Sequence, residues 1–179
     1  MYVESFAHPG RNVVMLEIQP GHVVADFGAG SGEYTLALSS AVGSEGQVYA
    51  IDVQPDLLIR IKNEARRRGL KNIDIIVGDV GRAHGTKLRS HSVDLVLMSN
   101  VLFQLEYKEA AWNEAHRTLL SKGRLAVIDW SEHGGRIGPS REHLYRRPEA
   151  VRDAERSHFH YTGEFPAGAH HYGLMFEAA

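Results

Sequence analysis

The segment VVADFGAGSGEYT, residues 23–35, puts glycines at positions 28, 30 and 32 directly behind an apolar run and one acid, Asp26. An apolar run that breaks into alternating glycines makes a strand–turn–helix junction, in which the backbone comes close to a ligand and packs tightly on the following helix. In open parallel α/β sheets such junctions lie outside the carboxyl ends of the strands, and ligands bind where the strand order reverses. The dinucleotide fingerprint G-x-G-x-x-G needs its third glycine at position 33, which is Glu33. A carboxylate at the start of the helix opposes a pyrophosphate. The turn therefore suits a ligand that presents an amine and a carboxylate without phosphate.

Further along the chain the pattern fits that junction. Val23 to Phe27, Val48 to Ile51, Ile73 to Val77, Val93 to Met98 and Arg124 to Asp129 read as strands rich in Val and Ile, apolar on both faces as doubly covered strands are. Glu33 to Ser40, Pro55 to Arg68 and Lys108 to Leu120 read as the intervening helices, with Pro55 in a first turn and Gly69 and Gly123 at helix stops. Strand–helix alternation predicts a parallel sheet with right-handed crossovers. After Asp129 comes a Gly-, Pro- and Arg-containing loop through about Arg147, then a short helix near Pro148 to Arg156. SHFHYTGEF and HHYGLMFEA follow as two strands joined by PAGA in a hairpin-type connection, with antiparallel pairing on an otherwise parallel sheet. The 179 residues are the length of a single domain, long enough to bury roughly 70% of the unfolded surface.

Two more acids recur at strand ends. Asp52 closes the second strand, 20 residues beyond Gly32, where one carboxylate accepts both hydroxyls of a ribose. Gly78-Asp79-Val80 closes the third, and Asp79 is placed to accept from an exocyclic amine. The motifs DFGAGSG, AIDV, VGDV and DLVLMSNVLF look like the successive motifs of the class I S-adenosylmethionine-dependent methyltransferases, and most resemble the small UbiE-like methyltransferase-domain proteins. The resemblance covers almost the whole chain, including LLSKGRLAVIDW and the closing HHYGLMFEA. It implies a Rossmann-like, doubly wound sheet of about seven strands, mostly parallel with an antiparallel final strand, and helices on both faces. It implies S-adenosyl-L-methionine as cofactor. Asp26 and the backbone of Gly28, Gly30 and Gly32 would hold the methionine moiety. Asp52 would bind the ribose, Val53 would pack on adenine, Asp79 would accept from its amine beside Val80, and Asn100 would line the methyl-donor end.

Methyl transfer from a sulfonium is an in-line displacement, and a base is needed only when the attacking atom carries a weakly acidic proton. Ser99, Asn100, Asp129 and Trp130 lie at the ligand edge. An antiparallel last strand brings His170, His171 and Tyr172 there as well. His171 or Asp129 is the expected general base, and Trp130 or Tyr172 the apolar wall. The segment Ser131 to Arg147, with Gly134, Gly135, Gly138 and Pro139, reads as a lid or a plain surface loop. Phe6 and His8 read as a terminal segment near the cofactor.

Other chemistries are excluded or left without support. The chain contains no cysteine, which excludes disulfides, thiolate nucleophiles and the family's cysteine-dependent arsenic-methylating branch. His158 and His160 share a strand face at i, i+2 spacing with His170 and His171 on the next strand, but no carboxylate recurs at a metal spacing, so no metal is expected. The formal charge is −2, and the basic run Arg60 to Lys71 lacks interleaved aromatics, so nucleic acid is not the expected partner. The sequence shows neither a signal-peptide pattern nor a membrane-length apolar run, and reads as cytoplasmic. The expected partner is a small-molecule methyl acceptor, with the oligomeric state left open. The alternatives are an RNA or protein methyltransferase subunit, a non-catalytic S-adenosylmethionine-binding module and, by fold alone, a nicotinamide dehydrogenase.

Overall fold

The computed structural model describes residues 8–131 and 138–179. The chain runs α1 (Pro9–Met15), β1 (Val23–Phe27), α2 (Glu33–Val42), β2 (Gln47–Asp52), α3 (Pro55–Arg67) and β3 (Ile73–Val77). It continues through β4 (Val93–Ser99), a 3₁₀ turn (Leu102–Gln104), α4 (Lys108–Thr118), β5 (Leu119–Trp130), α5 (Arg147–Arg156), β6 (Phe159–Pro166) and β7 (His171–Ala178). The seven strands form one sheet in the order β3-β2-β1-β4-β5-β7-β6. β1 to β5 pair in parallel, and β7 runs antiparallel to both β5 and β6. The order reverses between β1 and β4, so a crevice opens at their carboxyl ends.

Alternation along the strands splits the interior into two layers. Ala25, Phe27, Val96, Met98, Leu125, Val127, Leu174 and Phe176 pack on one side around Trp112 and Phe159. Val24, Val48, Leu95, Leu97, Ala126 and Ile128 pack on the other around Leu16, Leu38 and Phe165. Trp112 meets Phe176 edge-on, with ring centroids 5.6 Å apart, an arrangement aromatic pairs favour.

Three local expectations are corrected. β3 is not covered on both sides: Asp74 and Val77 are exposed, because β3 is an edge strand with only β2 as its partner. Gly123 is no helix stop. The helix ends at Thr118, whose hydroxyl donates back to the Glu114 and Ala115 carbonyls, and Leu119 is already extended, so Gly123 falls inside β5. His158 precedes β6 in a left-handed conformation (φ 65°), its ring 5.8 Å from that of His116, so it does not share a strand face with His160. Helix α1, absent from the sequence reading, packs against α2.

The glycine turn follows from close packing. Gly28 and Gly32 have φ of 75° and 82°, and a Cβ on either would lie 2.4 Å from a methyl or methylene carbon, of Val101 and Ile61 respectively. Gly32→Ala is expected to destabilise the fold by about 1–3 kcal/mol, because the added carbon meets α3 in a left-handed conformation. Urea denaturation of the variant beside the wild-type chain measures this loss.

Candidate cofactor and acceptor site

The turn after β1 is tied to the end of β2. The Gly28 and Ala29 N–H groups donate to the Ile51 carbonyl at 2.8 and 3.0 Å, and the Gly30 N–H donates to Asp52 Oδ2 at 2.9 Å. Asp52 Oδ1 accepts from the Gln54 N–H at 2.9 Å, which fixes the carboxylate at the entry to α3. Each oxygen keeps a lone pair for a further donor. Gly30 differs from its two neighbours. A Cβ built on it meets only the Gly28 carbonyl, at 3.8 Å, so its open side faces the crevice.

That crevice is a cavity of about 470 Å³, within the usual size range of small-molecule sites. Asp26, Gly28, Gly30, Asp52, Val53, Gly78, Asp79, Val80 and Asn100 all line it. Gly32 does not. Its place is structural, capping α2 and admitting Ile61. Val53 is exposed and Val80 is buried. Asp79 is already engaged: Oδ1 accepts from the Gly81 N–H at 3.0 Å and Oδ2 pairs with Arg82 at 2.9 Å.

Asp26 lies beneath the turn, fully buried, and accepts from the Thr35 hydroxyl at 2.6 Å. Burial pushes its pKa up to about 6, against the lowering effect of Thr35, and the nearby Asp52 charge adds to the rise. Next to it Tyr34 lines the cavity, its hydroxyl accepting from Asn12 Nδ2 at 2.7 Å. Asn12 also donates to the Ala167 carbonyl at 3.0 Å, so α1 braces both the cavity wall and the β6–β7 hairpin.

At the far end β4, β5 and β7 converge. Asn100 has φ of 57°, donates its N–H to the Ile128 carbonyl, and has a buried Oδ1 with no partner among the described residues. Trp130 and His171 are direct partners across the antiparallel ladder, so their side chains share a face, with ring centroids 4.3 Å apart. His171 is buried, and neither ring nitrogen has a hydrogen-bond partner among the described residues. Burial, then the charge of His170, pushes its pKa down to about 4.

Asp129 and Tyr172 point the other way. They pair with each other on the opposite face, and neither lines the cavity. Asp129 Oδ1 accepts from the Trp130 N–H at 2.8 Å and Oδ2 from the Phe103 N–H at 3.2 Å, while burial raises its pKa to about 7. The Tyr172 hydroxyl donates to the Tyr145 carbonyl at 2.8 Å. The two nominated bases are therefore separated by the sheet, and only His171 reaches the cavity. Phe6, Gly134 and Gly135 lie outside the described residues. Gly138 is inside them, and packs its backbone on the Trp130 ring, where a Cβ would come within 2.7 Å. Among the described residues no group of three or more His, Asp or Glu is placed to hold a metal ion.

A family model described as a methyltransferase domain matches residues 18–172. The chain belongs to that methyltransferase-domain family. It is 34% identical over 138 residues to the aklanonic acid methyltransferase DauC of Streptomyces sp. (strain C5), covering 75% of this chain and 55% of the relative. It is 28% identical over 116 residues to the ubiquinone/menaquinone biosynthesis C-methyltransferase UbiE of Hydrogenovibrio crunogenus, covering 64% and 44%. The chain thus spans about half the length of these curated relatives. A solved SAM-dependent methyltransferase from Aquifex aeolicus superposes with a TM-score of 0.88 at 25% identity, covering 97% of this chain and 91% of that one. The [4+2]-cyclase SpnF shares the fold at a TM-score of 0.78 and 15% identity, covering 94% and 80%.

Sequence reasoning missed several residues lining this methyltransferase-domain cavity, among them Tyr34, Gln104 and Pro9. Tyr34 follows the glycine turn by two residues, and that spacing was the one available signal.

The Asp26 carboxyl gives a pH-dependent prediction. Its pKa in the fold, about 6, stands above the ordinary 3.8 of an aspartate, so the folded state keeps the proton longer. Its contribution is fully present below about pH 4 and is lost as pH rises through 6. Asp26→Asn is expected to be more stable than wild type at pH 7.5, by up to about 3 kcal/mol. The gap should close by pH 4 in paired thermal melts.

Proposed function

We propose that this methyltransferase domain binds S-adenosylmethionine along the carboxyl ends of β1 to β4 and transfers its methyl group to a small-molecule acceptor. One observation carries the reading. A single cavity joins the open side of Gly30 to the carboxylates of Asp52 and Asp79, at the ends of three neighbouring strands. The chemistry of these groups fits the cofactor. Asp52 has lone pairs for two ribose hydroxyls, Val53 and Val80 offer apolar contact to a base, and Asp79 accepts from its amine beside the Gly78 backbone. The buried Asp26 carboxylate and the unpartnered Asn100 Oδ1 suit the ammonium of the methionine end, with Gly28 and Gly30 admitting it to the backbone.

When bound, the cofactor supplies an electrophilic methyl on sulfur. The chain's own work is to hold that end still and to keep water out. Orientation of this kind is worth up to ~7–11 kcal/mol of barrier. The turn N–H groups are spent on Ile51 and Asp52 rather than directed outward, so they form no phosphate cradle. That supports the sulfonium cofactor over a dinucleotide.

The acceptor is small on this reading, because a cavity of about 470 Å³ leaves little room beside the cofactor. The exposed basic residues of α3 are partly spent on Glu64, which pairs with Arg67 and Arg68, and they lie outside the cavity lining. Nothing there favours a macromolecular substrate.

Asp52→Ala is expected to weaken binding of S-adenosylmethionine at least tenfold in titration calorimetry. It should also abolish the rise in melting temperature that the cofactor gives the wild-type protein. Stabilisation of the wild type by a nicotinamide dinucleotide, with none from S-adenosylmethionine, would overturn the reading.

A further inference from the structure

One residue of the cavity wall combines a strained backbone with an idle polar group. Asn100 follows β4 with φ of 57°, and of the described non-glycine residues with positive φ it alone lines the cavity. Side chains enter this left-handed region at a cost, which asparagine bears better than most. Such a conformation persists only where its surroundings fix it. Here both backbone polar groups are held. The Asn100 N–H donates to the Ile128 carbonyl at 2.8 Å, and the Asn100 carbonyl accepts from Gln104 Nε2 at 2.6 Å. The side chain that leaves this fixed backbone ends in a buried Oδ1 with no partner among the described residues. An orphaned buried carbonyl oxygen costs the empty fold stability. It can only accept, so it suits a donor brought by the ligand.

Gln104 is exposed, and its backbone is anchored. It ends the 3₁₀ turn, with its N–H on the Val101 carbonyl at 3.0 Å. The turn is pinned in its middle, where the Phe103 N–H donates to the buried Asp129 carboxylate at 3.2 Å. From that footing the glutamine side chain reaches back four residues to Asn100. One hydrogen bond from an exposed amide adds little to the stability of the whole domain. Its consequence is local, because it sets how Asn100 is held.

Resting on the proposed binding of S-adenosylmethionine, we infer that Gln104 is a positioning residue, whose amide holds the Asn100 backbone left-handed and so presents Asn100 Oδ1 to the ammonium of the methionine end. Gln104 acts without touching the ligand. The contact it makes possible is charge-assisted, and so stronger than a neutral hydrogen bond. Only a ligand that carries the amine benefits from it.

Titration calorimetry on the wild type, Gln104→Ala, Asn100→Gly and the double variant tests this. Glycine keeps the left-handed backbone and removes Oδ1. The probes are S-adenosylmethionine and 5′-methylthioadenosine, which keeps the adenosine and sulfur and lacks the amino-acid end. Each single variant is expected to bind S-adenosylmethionine about tenfold or more weakly than the wild type. The double variant should match Asn100→Gly within about twofold, because the amide then has no side chain to position. Methylthioadenosine should bind all four proteins alike, and Gln104→Ala should melt close to the wild type. Gln104→Glu keeps the length and loses the donor, so it should behave as Gln104→Ala and replaces it should the alanine variant not fold. Unchanged affinity of the Gln104 variants for S-adenosylmethionine, an equal loss for both probes, additive losses in the double variant, or failure of both Gln104 variants to fold overturns the inference. Failure of the wild type to bind S-adenosylmethionine overturns the underlying methyltransferase reading instead.

Discussion

The tie between the first glycine turn and the end of the neighbouring strand organises this protein. Three consecutive N–H groups, of Gly28, Ala29 and Gly30, are drawn onto the Ile51 carbonyl and the Asp52 carboxylate. Only a chain with little side-chain bulk bends this sharply across a strand end. Gly28 must admit Val101 and Gly32 must admit Ile61, both in left-handed conformations. The same bend leaves the open side of Gly30 facing the cavity. One local geometry therefore locks α2 onto the sheet, fixes Asp52, and opens the crevice at the topological switch.

Burial shifts the ionisable groups at the two ends of the crevice in opposite directions. Buried Asp26 carries a carboxyl whose ionisation the fold disfavours, with Asp52 close enough to add to the effect. A buried acid held near neutral pH costs the empty protein stability and is relieved by a cation, a common mark of a functional site. Burial has the reverse consequence for His171, which it holds in the uncharged form. Desolvation thus acts in opposite senses at the two ends of one cavity, favouring a protonated carboxyl at Asp26 and a neutral imidazole at His171.

Much of this was legible in the chain. The Val- and Ile-rich runs at 23–27 and 73–77 became strands with those bounds, because apolar period and turn residues agree there. Asp52 and Asp79 stand out because each closes such a run, and both line the cavity. The antiparallel partner of β5 was also anticipated, and with it the arrival of His171 at the ligand edge. Helix α1 was missed because its seven residues, PGRNVVM, carry too little periodicity to stand out, and its role through Asn12 is wholly tertiary. The end of α4 was misplaced because LLSKG fits a helix as well as the strand entry it makes.

Composition and spacing by themselves determined the sheet, its glycine junction and the three acids at successive strand ends, since each follows from local pattern and from the geometry of consecutive strand–helix units. Which of the far-end side chains meet was decided only in three dimensions. Asp129 and His171 sit 42 positions apart in the chain, and adjacent positions on a strand point to opposite faces. The register of β5 on β7 therefore sent one into a hydrogen-bonded corner beneath Phe103 and the other into the cavity beside Trp130. A slip of one residue in that pairing would have turned His171 away from the cavity, onto the face that Asp129 occupies. Register is a property of the packed sheet, and no single strand encodes it.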